Sequence, residues 1–424
     1  MVRKVIPYEI LRNASAITLD LIERIVTENE QIAMRSFLRH SIHVLDDIIQ
    51  NAGDKPIIGY HFAFPGDLLQ CFDATLVCFE VVPYLMASLM PNGAEYFYDR
   101  ITAFGHPFHS CTSQKGIMGM ALDGLVDLDL AICPTGPCDN TIASYQFFSN
   151  QMKIPVFIAD FPHYKNERAY KYAAEELVRQ IDEIGKLIGQ EPDYARLRTA
   201  LNHSREAQAY LAEINEMRRA TPCPIESIVN PLITGAITMM PGRPEKTQFF
   251  KEVSDLMKKR IKNHEGRGGE EKFRSFWPNI SQFYDMGFYE WMDRELGMTQ
   301  LVDVFTYLFF EPIQDPMHDS VESIFQQIAK QALNYPMTHQ AQSFIETMVE
   351  DTLWGVKAFK ADCAIMTGHL GCKQIASAIQ IIREELRDRL SIPMLTIEVD
   401  IGDKRFNSID AVKYEIAEFA KTLL

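Results

Sequence analysis

The sequence predicts two α/β units joined by long helices. Short apolar runs of strand length alternate with helical patterns early and late in the 424-residue chain, and this alternation is typical of doubly wound parallel sheets. Between these parts lies a charged, amphipathic stretch without a strand candidate. We therefore predict an N-terminal helical segment, a first α/β domain, a helical connector and a second α/β domain, at residues 1–52, 53–165, 166–268 and 269–424.

The first domain is predicted from four apolar runs. Residues 9–51 before it are predicted to be helical, because Ile10, Ile17 and Ile25 recur at helical spacing among charged residues. Pro65 suits the first turn of a helix after the first run. The four predicted strands cover residues 56–64, 75–82, 128–132 and 154–159.

The second domain is predicted to begin near a polar, glycine-rich loop at 265–272, which is typical of a domain edge. The same strand–helix rhythm follows to the end of the chain. The predicted strands are 273–277, 301–307, 362–367 and 392–399. The predicted helices are 283–296, 372–390 and 411–423, with two more across 319–358.

The composition disfavours several classes of partner and of cysteine use. The net charge of −15 disfavours nucleic acid or an anionic membrane as the main partner, since both attract basic surfaces. We see no signal peptide and no apolar run of bilayer length, so a cytoplasmic protein is expected. Eight cysteines in such a chain favour metal or redox use over disulfides, although each alone could be a core residue.

Three cysteines occupy loops that follow predicted strands or precede predicted helices, namely Cys111, Cys138 and Cys372. In open α/β sheets, ligands bind beyond the carboxyl ends of the strands, so these thiolates can converge on one point. Thiolates select soft sites such as zinc or iron–sulfur clusters. The close C-x-x-C pairs of zinc ribbons are absent, which disfavours structural zinc.

The sequence lacks the usual nucleotide-binding motifs and contains three histidines that are further candidates for the site. No phosphate-binding loop of the G-x-x-x-x-G-K-[ST] type and no dinucleotide-binding glycine motif occurs, so any ATP-dependent step requires another protein. His61, His109 and His369 lie in or near the cysteine loops and are candidate catalytic acids or hydrogen-bond donors. The alternative for each is a loop histidine that bonds only to backbone.

Four segments resemble the 2-hydroxyacyl-CoA dehydratase / benzoyl-CoA reductase family. They are residues 64–68, Cys111 with its helix and Gly124, residues 134–139, and residues 368–372 together with 396–405. The resemblance implies two flavodoxin-like, doubly wound domains with helical additions. It also implies one [4Fe–4S] cluster per subunit, with Cys111, Cys138 and Cys372 as its ligands.

The chain is most similar to the double-cubane cluster branch of that family. Three further cysteines, Cys133, Cys71 and Cys223, lie near the predicted site, and an [8Fe–9S] double cubane needs six thiolates. The family's usual Pro-Glu-Glu-Leu is replaced here by residues 65–68, Pro-Gly-Asp-Leu. Cys78 and Cys363 are predicted to be core residues of strands.

The resemblance implies an iron–sulfur oxidoreductase, expected to be a homodimer. A separate ATP-hydrolysing [4Fe–4S] activator would supply low-potential electrons for a small substrate that is hard to reduce. The alternative is the single-cluster subunit of a 2-hydroxyacyl-CoA dehydratase. A third possibility is a non-catalytic binding or scaffold protein with buried cysteines.

Overall fold

The computed structural model describes residues 3–27, 30–308 and 310–424, and contains two parallel four-stranded sheets. The first sheet has the strand order β2-β1-β3-β4 and the second has the order β6-β5-β7-β8. The strands are β1 Ile57–Tyr60, β2 Thr75–Cys78, β3 Leu130–Pro134, β4 Val156–Ala159, β5 Phe273–Phe276, β6 Met298–Gln300, β7 Cys363–His369 and β8 Met394–Val399. The predicted fold class, two α/β units of flavodoxin-like topology, is confirmed.

Helices cover the sheets and also occupy the stretch of chain between them, which is called the connector below. The first part of the chain contains α1 Ile6–Ile25, α2 Ile32–Asn51, α3 Val81–Leu89, α4 Glu95–Ala103, α5 Thr112–Leu122 and α6 Asp139–Met152. The connector contains α7 Glu167–Ile188, α8 Tyr194–Met217, α9 Val229–Met239 and α10 Pro244–Lys262. The second part contains α11 Gly287–Trp291, α12 Val321–Leu333, α13 Thr338–Ala341, α14 Ile345–Ala358, α15 Lys373–Leu390 and α16 Ile409–Lys421.

The predicted strand at 301–307 is wrong. The strand β6 ends at Gln300, and the chain then turns. The Asp303 carboxylate accepts a hydrogen bond from the Phe305 amide at 2.9 Å, and the Asp303 amide donates a hydrogen bond to the Thr306 hydroxyl. Leu301 and Val302 are buried in the core. Their apolar character therefore reflects burial of a turn rather than a strand.

Two other boundaries also differ from the prediction. The run 75–82 is a strand only to Cys78, and α3 begins at Val81, where Pro83 is tolerated in the first turn of a helix. The two helices predicted across 319–358 are three, because a break at 334–337 and another at 342–344 separate α12, α13 and α14.

One hydrophobic core runs from the N-terminal helices through the first sheet and the connector to the second sheet. Leu11 of α1, Ile132 of β3, Leu211 of α8 and Leu353 of α14 all belong to it. A core shared in this way holds the carboxyl edges of the two sheets at fixed positions. Among the described residues, no helix combines the length and the apolarity that crossing a membrane requires.

Both sheets reverse their strand order at the same place. In the first sheet, β2 lies on one side of β1 and β3 lies on the other, so the strand order reverses between β1 and β3. The order of the second sheet reverses in the same way between β5 and β7. Ligands of open α/β sheets bind at such switch points, outside the carboxyl ends of the strands. We therefore expect a ligand site at the residues that follow β3 and β7.

Candidate functional site

Three cysteines each occupy the N-cap position of a helix. Cys138 follows β3 and begins α6, and Cys372 follows β7 and begins α15. Cys111 begins α5, on the connection from β2 to β3. Two of the three therefore come from the switch points of different sheets.

Each thiol faces the partial positive charge of a helix N-terminus. Burial raises the pKa of Cys111 to about 11 and of Cys372 to about 12, and it also raises the pKa of Cys138. Neighbouring cysteines also raise the pKa of Cys111 and Cys372, and Asp139 raises that of Cys138, whereas backbone amides of the first helical turns lower all three. Thiolates at these positions need a bound cation to be stable at neutral pH.

The three cysteine loops are tied together by side-chain amides. Asn140, two residues after Cys138, donates from Nδ2 to the Gly371 carbonyl at 3.2 Å. Its Oδ1 accepts from the Ser110 hydroxyl at 3.3 Å. Gln374 donates to the Pro137 carbonyl at 3.3 Å. The contacts to Gly371 and from Gln374 join residues more than 200 positions apart in sequence, so the site depends on both α/β units.

Gly371 lies where the two units approach each other closely. A Cβ added there would lie 2.3 Å from the Cys111 backbone nitrogen and 2.7 Å from the Ser110 carbonyl carbon. Both neighbours are backbone atoms and cannot rotate away. Only glycine allows the loops that carry Cys111 and Cys372 to meet at this distance.

The three cysteines line one cavity. The Tyr84 hydroxyl lies 3.7 Å from Cys111 Sγ, and the Thr141 hydroxyl lies 3.5 Å from Cys138 Sγ. Asp400 and His369 of the second unit complete part of the wall. The Asp400 carboxylate accepts hydrogen bonds from Thr112 and from the amides of residues 402 and 403.

This donor set suits an iron–sulfur cluster better than a single metal ion. In the described ranges 3–27, 30–308 and 310–424, no group of three His, Cys, Asp or Glu side chains is placed to bind one ion. The ligands of a cubane cluster each bind a different iron atom and therefore lie further apart than the ligands of one ion. Three partly buried cysteines around one cavity, which are not placed to bind one ion, suit that arrangement.

The structure does not bring the other predicted ligands to this cavity. Cys133 is buried inside β3, Cys71 ends a short 3₁₀ helix at Gly66–Cys71, and Cys223 lies between α8 and α9. The Cys223 thiol donates to the Ile225 carbonyl at 3.6 Å. None of the three lines the cavity. Cys78 and Cys363 are buried in β2 and β7.

The candidate histidines occupy three different environments. His109 is exposed and does not line the cavity. His369 lines the cavity and donates from Nε2 to the Ile280 carbonyl at 2.8 Å, and burial lowers its pKa. Its Nδ1 has no hydrogen-bond partner among the described residues. His61 is fully buried just behind the cavity wall, and burial lowers its pKa to about 3.

His61 connects to the cysteine site through a threonine. The Ala63 amide donates to His61 Nδ1 at 3.0 Å, so the proton of the neutral ring lies on Nε2. Nε2 then donates to the Thr141 hydroxyl at 3.0 Å, and that hydroxyl faces Cys138 Sγ. His61 therefore fixes the direction of the hydroxyl next to a candidate ligand.

Glu80 is a site residue that the sequence interpretation missed. It follows β2, lines the cavity, and its side chain is 1% exposed. In the described part of the chain, neither carboxyl oxygen has a partner within hydrogen-bond geometry, and the Tyr145 hydroxyl and the Phe62 backbone lie only near enough to lower its pKa partly. Burial raises its pKa to about 8. The available signal was a single acidic residue within the apolar run 75–82, since a buried carboxyl is costly without a function.

The comparison with protein families identifies the relationship. The family described as 2-hydroxyglutaryl-CoA dehydratase, D-component, matches residues 62–423. This chain belongs to that family. The 2-hydroxyacyl-CoA dehydratase family predicted from the sequence is therefore confirmed, and membership implies an enzyme component of the dehydratase type. The family is known for binding iron–sulfur clusters. A search of curated proteins found no match.

Proposed function

We propose that this chain is the iron–sulfur component of a 2-hydroxyacyl-CoA dehydratase-like system. Its cluster would be held by Cys111, Cys138 and Cys372. The observation that carries the proposal is the position of these residues: each begins a helix, and all three line one cavity where the switch points of the two sheets meet. Family membership supports the same conclusion.

A bound cluster would supply one-electron transfer and an iron atom open to a substrate oxygen. The chain supplies the conditions for that chemistry. The reduction potential of such a cluster would depend on the burial of its thiolates and on the helix N-termini that face them. It would also depend on the hydroxyl groups of Tyr84 and Thr141, which lie beside two of the sulfurs. The cavity wall is mostly apolar, and Phe62, Ile280 and Phe283 form part of it.

The electron source is proposed to be a separate protein. The sequence contains no nucleotide-binding loop of the usual kinds, so an ATP-hydrolysing [4Fe–4S] activator is the proposed donor. The substrate is proposed to be a small molecule carried as a 2-hydroxyacyl-CoA thioester. A homodimer remains the predicted assembly.

The cavity offers fewer thiolates than a double cubane needs. An [8Fe–9S] cluster requires six, and three of the eight cysteines line the cavity. Cys133 comes nearest in sequence to a ligand, but it points into the sheet core from β3. The geometry therefore favours a cluster with three cysteine ligands, and the reductase of the double-cubane type is the competing proposal.

Iron analysis of anaerobically purified protein tests both proposals. About four irons and four sulfides per chain, with a brown colour, support the three-cysteine cluster. About eight irons and nine sulfides would replace it with the double cubane. A colourless protein that folds fully without iron would refute both and leave the non-catalytic alternative.

A further inference from the structure

The cavity contains two carboxyl groups in very different states. Asp400 accepts three hydrogen bonds and is committed to the turn at 400–403. Glu80 accepts none within hydrogen-bond geometry from the residues that the structure describes, although its side chain is almost fully buried and lines the same cavity. A buried polar group without partners is expensive, so a group of this kind is expected to meet a ligand.

We propose that Glu80 is the proton donor of the cluster cavity. The inference rests on the proposed iron–sulfur site, but it concerns a residue from another strand. Glu80 follows β2, whereas the candidate ligands begin α5, α6 and α15. Its neutral carboxyl group would donate a hydrogen bond to an oxygen atom of a molecule in the cavity.

The surroundings of Glu80 keep its proton in place. The titratable groups that face it are His61 after β1, Cys78 of β2, Cys133 of β3, Tyr145 of α6 and Tyr8 of α1. His61 is neutral, because burial lowers its pKa to about 3. Burial raises the pKa of the two cysteines and the two tyrosines well above their usual values. Within the described residues, none of these groups supplies a positive charge at neutral pH.

The chemistry that a proton donor serves here is the departure of a hydroxyl group. The proton would pass from the Glu80 carboxyl to the hydroxyl oxygen of a 2-hydroxyacyl thioester. The C–O bond would break with its electron pair on oxygen, and water would leave. A proton lost from the adjacent carbon would restore the carboxyl group, so that the elimination of water is balanced in protons and electrons.

His61 has a positioning role in this arrangement. Its Nε2 lies 3.8 Å from Glu80 Oε1 and 3.0 Å from the Thr141 hydroxyl. The Nε2 proton is directed to the Thr141 hydroxyl, so His61 donates no hydrogen bond to Glu80. The ring thus separates the carboxyl group from Thr141 and the Cys138 sulfur.

The test measures the reduction potential of the bound cluster from pH 6 to pH 10, without substrate. In the wild type, we expect a constant potential below about pH 7. Above about pH 8 the potential should fall with rising pH, because an ionised Glu80 opposes the arrival of an electron. The limit is about 59 mV for each tenfold change in proton concentration.

Three variants make the result specific. Glu80→Gln has the shape of the neutral acid and should give a constant potential over the whole range. Glu80→Asp keeps a carboxyl group and should retain the change in slope. Glu226→Gln is the control, because this carboxylate pairs with Arg260 and lies outside the cavity. It should behave like the wild type.

The outcomes separate this inference from the proposed function. Wild-type protein without iron would refute the proposed function and the inference with it. Wild-type protein with iron and a constant potential from pH 6 to pH 10 would overturn the role of Glu80 alone. A change in slope that persists in Glu80→Gln would also overturn it, since another group would then be responsible.

Discussion

Glu80 and Asp303 occupy corresponding places in the two α/β units. Each follows the edge strand next to the first strand of its sheet, Glu80 after β2 and Asp303 after β6. Both side chains are buried, and burial raises the pKa of Glu80 to about 8 and of Asp303 to about 6. The same topology thus places a buried acid at the same sheet edge twice.

The partners of the two acids differ completely. Asp303 accepts from the Phe305 amide at 2.9 Å and from the Gln300 side chain at 3.3 Å, and these bonds close the turn after β6. Glu80 has no partner among the described residues and lines the cysteine cavity. A buried acid with its hydrogen bonds satisfied maintains the fold, whereas one without them is available to a ligand.

The largest expected effect tests whether the two units share one site. Cys138→Ala in the first unit and Cys372→Ala in the second should each remove most of the iron per chain, because each thiolate would bind a different iron. Cys133→Ala is the control and should retain iron. Metal analysis with visible spectroscopy after anaerobic purification measures this. Loss of iron in Cys133→Ala would contradict the three-cysteine cluster and favour the larger one.

Glu80 and Asp303 should also differ in how they make stability depend on pH. A folded-state pKa raised to about 8 means that the folded protein binds the Glu80 proton more tightly than the unfolded chain does. The contribution of this proton to the free energy of unfolding is therefore fully present below about pH 4.5 and is lost as pH rises to about 8. Between pH 5 and pH 8, we expect the free energy of unfolding of the wild type to fall by up to about 4 kcal/mol relative to that of Glu80→Gln.

Urea unfolding of the metal-free proteins at several pH values measures this difference. Asp303→Asn is the matched control, because its raised pKa of about 6 confines its effect to the range from about pH 4 to pH 6. If the wild type and Glu80→Gln kept a constant difference from pH 6 to pH 8, Glu80 would be ionised in the folded protein. The contrast between the two acids would then be lost.

The pattern of the sequence predicted the two sheets and the three cysteine loops. Strand–helix alternation is a local signal, and thiolates at strand ends are visible in a single segment. Glu80 was missed because an eight-residue apolar run resembled one strand, although the strand ends at Cys78. The ties made by Asn140 and Gly371 join segments from different units, and no local pattern indicates which distant loops meet.

The joint between the units should be sensitive to one methyl group. Gly371→Ala would force the Cys111 and Cys372 loops apart, since the added carbon meets backbone atoms at 2.3 Å. Overpacking of this kind costs about 2 kcal/mol. Gly368→Ala, in the preceding strand, is the control, because its nearest neighbour is the end of the Ile379 side chain at 3.3 Å. Equal iron content and equal stability of the two variants would show that the loops can separate without loss of the site.

Asn140 should have the smallest effect, and the most selective one. Asn140→Ala leaves the Gly371 carbonyl and the Ser110 hydroxyl without these partners, at a cost of about 1 kcal/mol. We expect the cluster to form but to be lost several times faster to an iron chelator, because the loops from the two units are no longer tied together. Asn150→Ala, at an exposed position on the same helix, should release iron at the wild-type rate. If both variants released iron equally slowly, the tie would serve folding alone, and the cysteine loops would be held in place by the Gly371 contact.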